Sequence, residues 1–217
     1  APLVPFAHRH LFAKKNKDAA VLNIGGISNV TWLGKNGRTA GFDTGPGNMV
    51  MDALMLEISD GRNGFDNNGE LAASGFVSNA LLQKLMAHPF LKRSPPKSTG
   101  REEFGQEIVD LILNWPELSD ADRMATACQF AADSICESIR FMERTPASWY
   151  LCGGGVRNKQ LMSLLKKALD EVVESCVNFV VVDLNTASWA LLSFVSGLRE
   201  TQARALVARR DERWAFT

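Results

Sequence analysis

The 217-residue chain has one tyrosine, three histidines and four cysteines, and each scarcity excludes something. Cys128, Cys136, Cys152 and Cys176 form no Cys-x-x-Cys pair. Cys128 and Cys136 fall in a helical pattern and Cys152 ends an apolar run. They read as small buried hydrophobes in a reducing compartment, not as a disulfide framework. His8-x-His10 has no acidic or thiol partner close by, which argues against a metal there. No apolar run is long enough for a membrane span, and no charged start leads into an apolar secretory core. Cytoplasm is the expected compartment. An excess of one charge is also missing: 24 Lys plus Arg balance 24 Asp plus Glu. Neither nucleic acid nor an anionic membrane is therefore an expected partner. The local excess at Arg199, Arg204, Arg209, Arg210 and Arg213 reads as a solvated face.

Common nucleotide fingerprints are absent too. There is no Gly-x-x-x-x-Gly-Lys-Ser/Thr. Gly153-Gly154-Gly155-Val156-Arg157-Asn158 lacks the third glycine of the dinucleotide pattern. A dehydrogenase, which would need that glycine and an acidic residue after a βαβ unit, is disfavoured.

What is present patterns well. Ala20–Ile24 reads as a strand, Gly25-Gly26 as an interruption, and Ile27–Leu33 as a second strand. Asn36-Gly37 marks a hairpin turn. Arg38–Phe42 reads as a third strand that runs into a loop, Asp43-Thr44-Gly45-Pro46-Gly47-Asn48. A helix over 48–59, apolar on nearly every side, is expected to be well buried. Asp52 stands alone on it and is expected on its wet face. Short helices are expected at 69–87 and 103–114, around a turn-rich loop from Ser94 to Glu102. Ser119 and Asp122 resemble a capping box for a long helix. Met124, Cys128, Ala131, Ile135, Ile139 and Met142 form its apolar stripe, and Pro146 ends it. A strand at 149–152, a glycine turn, a helix over 158–173, a strand over 177–183 and a helix over 186–198 follow. A strand meander followed by alternating helix and strand predicts an α/β fold with helices packed on a mixed sheet.

Two glycine-rich turns follow strands and open helices, an arrangement that offers backbone N–H groups and a helix amino end to an anion. Asp43 is the more informative residue. It ends a strand, where open sheets place ligands. Gly45 and Gly47 allow close backbone approach, and Pro46 stiffens the turn. Asp43 can be a turn former bonded to its own backbone, or a general base or magnesium neighbour. Asp66, in an Asn-Gly-rich turn, can likewise be a local cap.

Several segments in order carry a resemblance. They are Ala1-Pro2-Leu3-Val4-Pro5 followed by His8; Leu22-Asn23-Ile24-Gly25-Gly26-Ile27-Ser28-Asn29; Asp43 to Asn48 preceded by Gly41-Phe42; Phe65-Asp66-Asn67-Asn68-Gly69; Pro96-Lys97-Ser98-Thr99-Gly100-Arg101-Glu102; and Cys152 to Asn158. Together they resemble the anhydro-N-acetylmuramic acid kinases over roughly residues 1–183. The resemblance implies an actin-like (ribonuclease H-like) ATPase lobe with helices on both sheet faces and a helical insertion at about 60–118. It implies an ATP- and Mg2+-using kinase that opens 1,6-anhydro-N-acetylmuramic acid with water to give N-acetylmuramic acid 6-phosphate, a step of peptidoglycan recycling. Asp43 matches the general base. Thr44, Gly45, Gly47 and Asn48 would contact phosphates, and Gly153, Gly154, Gly155 and Asn158 the adenosine. Asp66, Lys97 and Arg101 are candidate sugar or phosphate contacts; for Lys97 and Arg101 an ordinary charged surface loop is the other reading. No protein metal site is expected, and the complete protein is expected to be a homodimer.

The same resemblance exposes departures. No Gly-Thr-Ser-x-Asp-Gly-like first phosphate motif occurs, and Ala1 is not methionine. Residues 1–19 are therefore expected to be an interlobe segment, 20–198 the carboxyl-terminal lobe and 199–217 an atypical basic tail. The amino-terminal lobe is expected to be missing, so this piece alone is expected to be inactive. Two alternatives stay open: a non-catalytic actin-like lobe that binds nucleotide or a partner, and a sugar kinase with another acceptor.

Overall fold

The computed structural model describes residues 3–13, 16–172 and 178–181, with Thr201, Arg204 and Ala208. The expected helix over 186–198, the basic tail as a unit and Ala1-Pro2 lie outside the described residues.

Helix α1 (Leu3–Phe12) precedes β1 (Ala19–Ile24), β2 (Ile27–Leu33) and β3 (Thr39–Pro46). The Asn36-Gly37 turn forms as the sequence predicts. Gly37 has φ +92°, its N–H donates to the Gly34 carbonyl at 3.0 Å, and the Gly34 N–H donates to the Arg38 carbonyl at 2.8 Å. Helices α2 (Met49–Ile58), α3 (Glu70–Ser74), α4 (Asn79–Met86), α5 (Pro89–Lys92), α6 (Arg101–Phe104) and α7 (Gln106–Leu113) follow. They lead to the long α8 (Asp120–Glu137), β4 (Ser148–Cys152), α9 (Lys159–Val172) and β5 (Asn178–Val181).

The sheet order is β3-β2-β1-β4-β5. β2 pairs antiparallel with β1 and β3, while β1–β4 and β4–β5 are parallel. Strand 2 thus runs against the other four. This is the actin-like, ribonuclease H-like arrangement.

Strand alternation divides the sheet into two faces. Ala20 and Leu22 of β1, Val30 and Trp32 of β2, Phe42 of β3, and Trp149 and Leu151 of β4 join the main core, together with residues of α2, α4, α7, α8 and α9. Leu161, Leu165 and Leu169 of α9 recur every four residues and are fully buried there, each stabilising the fold by about 1.5–3 kcal/mol. The other face carries Val21, Thr31 and Tyr150 and is covered by α1. Phe12 lies 5.0 Å from the Tyr150 ring, and His8 Nδ1 is 2.9 Å from Thr31 Oγ1. Helices therefore do cover both faces.

Helix α8 starts with the expected capping box. The Asp122 N–H donates to Ser119 Oγ at 3.1 Å, and the Ser119 N–H donates to Asp122 Oδ2 at 3.3 Å. The second Asp122 oxygen accepts the Phe76 N–H at 2.6 Å, which ties the 75–78 loop to the helix start. The helix does not run to Pro146. It ends at Glu137 and tightens into a 3-10 turn at Ser138–Phe141. Ser134 and Ser138 hydroxyls donate back to the Ala131 and Ile135 carbonyls, competing with the helical ladder at that end. Burial pushes the Cys128 and Cys136 thiols up to about 12, in keeping with apolar packing and not thiolate chemistry.

Helix α2 corrects a second expectation. Val50, Met51 and Leu54 are buried, but Leu56 is 44% exposed. Its apolar composition does not bury every side, because the face bearing Met49, Asp52, Ala53 and Leu56 lines a cavity.

Candidate active site

Parallel strands β1 and β4 end side by side, and beyond those carboxyl ends an open sheet leaves room for ligand. The register sets one transverse polar row there: Cys152 opposite Asn23, Asn23 opposite Asn29, and Asn29 opposite Asp43. The row lies on the α1 face. With Val4, Pro5, His8, Thr31, Gly41, Lys97 and Ser98 it lines a cavity of about 330 Å³. Burial lowers the His8 pKa, so its imidazole enters this wall biased toward the neutral form.

Asp43 is held by three successive residues of one loop. Its N–H donates to the Lys97 carbonyl at 3.1 Å. Its Oδ2 accepts the Ser98 hydroxyl and the Thr99 N–H, each at 2.9 Å. The turn-former reading of Asp43 is thus not what the structure adopts: its partners lie more than fifty residues along the chain.

Lys97 is not a surface-loop charge. It is 9% exposed. Its ammonium sits 4.6 Å from the Phe90 ring centroid and 4.7 Å from that of Phe141. It also reaches the Phe90 and Leu91 carbonyls at 3.4 and 3.5 Å. Desolvation, with smaller contributions from Arg140 and Arg93, pushes its pKa down to about 8 against the opposing pull of Asp43.

The segment expected as a phosphate loop is partly strand. Asp43–Pro46 belongs to β3, and the register shifts at Ser28/Asn29. This bulge turns successive side chains to different places. Thr44 is 1% exposed, and its hydroxyl donates to the Ser28 carbonyl at 3.1 Å. Gly45, at φ +147°, packs so closely on α8 that a Cβ would stand 3.1 Å from Ser134. A Cβ on Gly47 would stand 2.3 Å from the Gly25 oxygen. The N–H groups of Gly47, Asn48 and Met49 donate to the Gly26, Gly25 and Gly26 carbonyls at 2.9, 2.8 and 3.1 Å. These glycines let α2 start directly against the β1–β2 turn.

A larger cleft, about 650 Å³, opens beside α2. Its lining includes Asn48, Met51, Asp52, Asp66, Gly154 and Asn158. The three glycines after β4 differ in purpose. Gly153 has φ +90°, and a Cβ on Gly155 would stand 2.3 Å from Ile24 Cγ2. Both are needed for packing against the end of β1. At Gly154 the nearest atom to an added Cβ is Asn48 Nδ2, at 3.7 Å. Asn158 caps α9, its Oδ1 accepting the Leu161 N–H at 2.9 Å. Asp66 caps α3, its two oxygens accepting the Leu71 and Ala72 N–H groups at 2.9 Å each.

Asp52 is not on a fully wet face. It borders both this cleft and a third cavity of about 370 Å³ that also touches exposed Arg101. Partial burial raises its pKa to about 6.

The predicted residues thus separate. Asp43 and Lys97 share one wall, Asn48, Asp66, Gly154 and Asn158 line the larger cleft, and Arg101 borders the third cavity. Sequence reasoning did not single out Asn23, Asn29, Ser98 or Thr99 individually, and weighed His8 only as a metal ligand. Cross-strand register, once known, is the signal that gathers Asn23 and Asn29 with Asp43. Among the described residues no group of three or more His, Cys, Asp or Glu side chains could hold a metal ion, and no helix is long and apolar enough to cross a membrane.

Comparison with known proteins adds sequence relatives. The sequence model of the family described as "Anhydro-N-acetylmuramic acid kinase" matches residues 1–198. Curated relatives of that name include one from Idiomarina loihiensis, 43% identical over 169 residues, covering 78% of this chain and 46% of that protein. Another, from Shewanella amazonensis, is 35% identical over 218 residues, covering 97% and 58%. A third, from Caldanaerobacter subterraneus, is 40% identical over 184 residues, covering 79% and 46%. The chain spans about half the length of the curated relatives it matches. Both the family match and the Shewanella alignment run past Asp183, where the motif resemblance stops. Among solved structures, the activator of 2-hydroxyisocaproyl-CoA dehydratase from Clostridium difficile with bound ADPNP is 15% identical, with a TM-score of 0.45. It covers 98% of this chain and 69% of that one.

Proposed function

The chain belongs to the anhydro-N-acetylmuramic acid kinase family, and from that premise we propose that residues 20–198 are the carboxyl-terminal lobe of an ATP-dependent sugar kinase. Residues 1–19 are the segment leading in from an amino-terminal lobe, and 199–217 form a basic tail. The complete enzyme is a cytoplasmic homodimer. It opens 1,6-anhydro-N-acetylmuramic acid and releases N-acetylmuramic acid 6-phosphate for cell-wall recycling.

The observation that carries this reading is Asp43, a carboxylate at a sheet edge, pinned through one oxygen and lining a cavity. In the reaction Asp43 takes a proton from water as the water oxygen bonds to the anomeric carbon. The bond from that carbon to the bridging oxygen breaks. The oxygen, now on C6 alone, accepts the γ-phosphoryl group of ATP, and ADP leaves. Such transfer depends mainly on positioning and charge neutralisation.

The larger cleft suits the nucleotide. Its volume is within the range of small-molecule sites, and Gly154 is the glycine whose Cβ position is open on its lining. Gly153 and Gly155 shape the turn beneath it, Asn158 borders it, and Asn48 joins it to the phosphate segment. Gly45, Gly47 and Thr44 support that segment through packing and internal hydrogen bonds. Asp66 shapes the cleft wall as a cap, and Arg101 stands as a charge at the third cavity. Magnesium binds through one or two carboxylates together with substrate phosphates and water. Such an ion would come in on the nucleotide and supply charge neutralisation at its phosphates.

The test is turnover in a complete kinase, made by joining the amino-terminal portion of the Idiomarina relative ahead of residue 1. Asp43→Asn should lower kcat by at least ~100-fold, the scale of a lost general base. Full activity in that variant removes Asp43 from the mechanism. ADP binding without sugar turnover in the unsubstituted complete protein would favour a nucleotide-binding module instead.

A further inference from the structure

Resting on the reading of Asp43 as the base, we infer that Ser98 is a positioning residue which, with the Thr99 backbone, decides which carboxylate oxygen takes the proton. Oδ2 is held and Oδ1 is the acceptor. The side-chain torsion that turns an Asp carboxylate is broad, so an unrestrained Asp43 would present either oxygen. Here the Ser98 hydroxyl and the Thr99 N–H converge on Oδ2, each at 2.9 Å. The described residues give Oδ1 no hydrogen bond. Bonds to an ionised acceptor are the stronger kind, and two on one oxygen fix the rotation.

The loop that delivers these donors is itself anchored. The Lys97 carbonyl accepts the Asp43 N–H at 3.1 Å. The Lys97 ammonium is set between the Phe90 and Phe141 rings. Residues 97, 98 and 99 therefore all bear on one aspartate, with the first embedded in protein and the second exposed. Thr99 donates through its backbone, which substitution of its side chain leaves in place. Ser98 is the separable half of the clamp, and misorientation of a reacting group reduces rate without needing to weaken binding.

In the complete kinase, Ser98→Ala should lower kcat about tenfold while the sugar KM stays within about twofold, and Ser98→Thr, which keeps the hydroxyl, should remain within about threefold of the parent in kcat. An inactive Asp43→Asn beside a Ser98→Ala enzyme of parental kcat overturns the positioning role and leaves the base intact. A Ser98→Ala enzyme altered only in KM overturns it too, making Ser98 a substrate contact. An active Asp43→Asn overturns the base reading itself. The clamp can also be measured without turnover, in the 217-residue chain. Thr99 amide exchange should quicken at least about fivefold in Asp43→Ala, the scale of about one lost hydrogen bond. In Asp43→Asn, which retains an acceptor, it should stay within about twofold of the parent. An unchanged rate in Asp43→Ala overturns the anchoring.

Discussion

Replacing Lys97 with methionine should flatten the pH dependence of stability between about 8 and 10.5, the two ends of the Lys97 shift. The folded chain sheds this proton near pH 8, whereas the unfolded chain keeps it to 10.5. Within that window the unfolded state binds more protons, so stability rises with pH. Below the window both states are protonated, and the full penalty of burying the ammonium opposes folding. At about 1.4 kcal/mol per pH unit the whole shift corresponds to about 3 kcal/mol. Part of it comes from Arg140 and Arg93, whose side chains are 48% and 52% exposed, and solvent screens that share. A gain of about 1–2 kcal/mol across the window is the expected size. Methionine keeps the apolar stem and removes the proton equilibrium. It also loses the contacts to the Phe90 and Phe141 rings, which shifts the variant by a constant, while the pH-dependent difference rests on the two pKa values alone. Urea unfolding of parent and variant at about pH 7.5, 9 and 10.5 measures it. The parent should gain on the variant as pH rises. Parallel curves would mean that Lys97 is not desolvated as the geometry requires.

Ser119→Ala should destabilise the chain by about 1 kcal/mol by removing the α8 cap. Asp122→Ala should cost more, because Asp122 also holds the Phe76 N–H. The double variant should lose less than the sum of the two in denaturant unfolding, since the cap is one reciprocal unit. Gly47→Ala should lower stability by about 1–3 kcal/mol, because its Cβ would meet the Gly25 oxygen at 2.3 Å. Gly154→Ala, with open space at 3.7 Å, should leave Tm nearly unchanged and weaken ADP binding in calorimetry.

The periodic elements were legible in sequence because local chemistry sets them. Asn36-Gly37 specifies its turn wherever two strands flank it, and Ser119 with Asp122 caps whatever helix follows. The four-residue spacing of Leu161, Leu165 and Leu169 names a buried face without reference to what covers it. Asp43 was visible too, as an acid at a strand end among glycines. Less legible were the boundaries at which tertiary contacts intervene. Asp43–Pro46 reads as loop because glycine and proline disfavour strands, yet pairing with β2 through a bulge extends β3 across it. The apolar α2 reads as well buried with one wet face, and nothing local tells that this face borders a cavity.

The sequence by itself determined the α/β class, the strand meander, the long capped helix and, through its ordered motifs, the family. Only the tertiary structure decided how each candidate residue is held and what it touches. It brought Ser98 and Thr99 onto Asp43 from more than fifty residues away, carried Lys97 inside, and separated packing glycines from the one facing a cleft. The physical reason is range. Propensity, capping and turn chemistry act within a few residues and are written in local order. A carboxylate's hydrogen-bond partners, the burial that moves a pKa and the room beside a Cα depend on which distant segments the sheet register brings together.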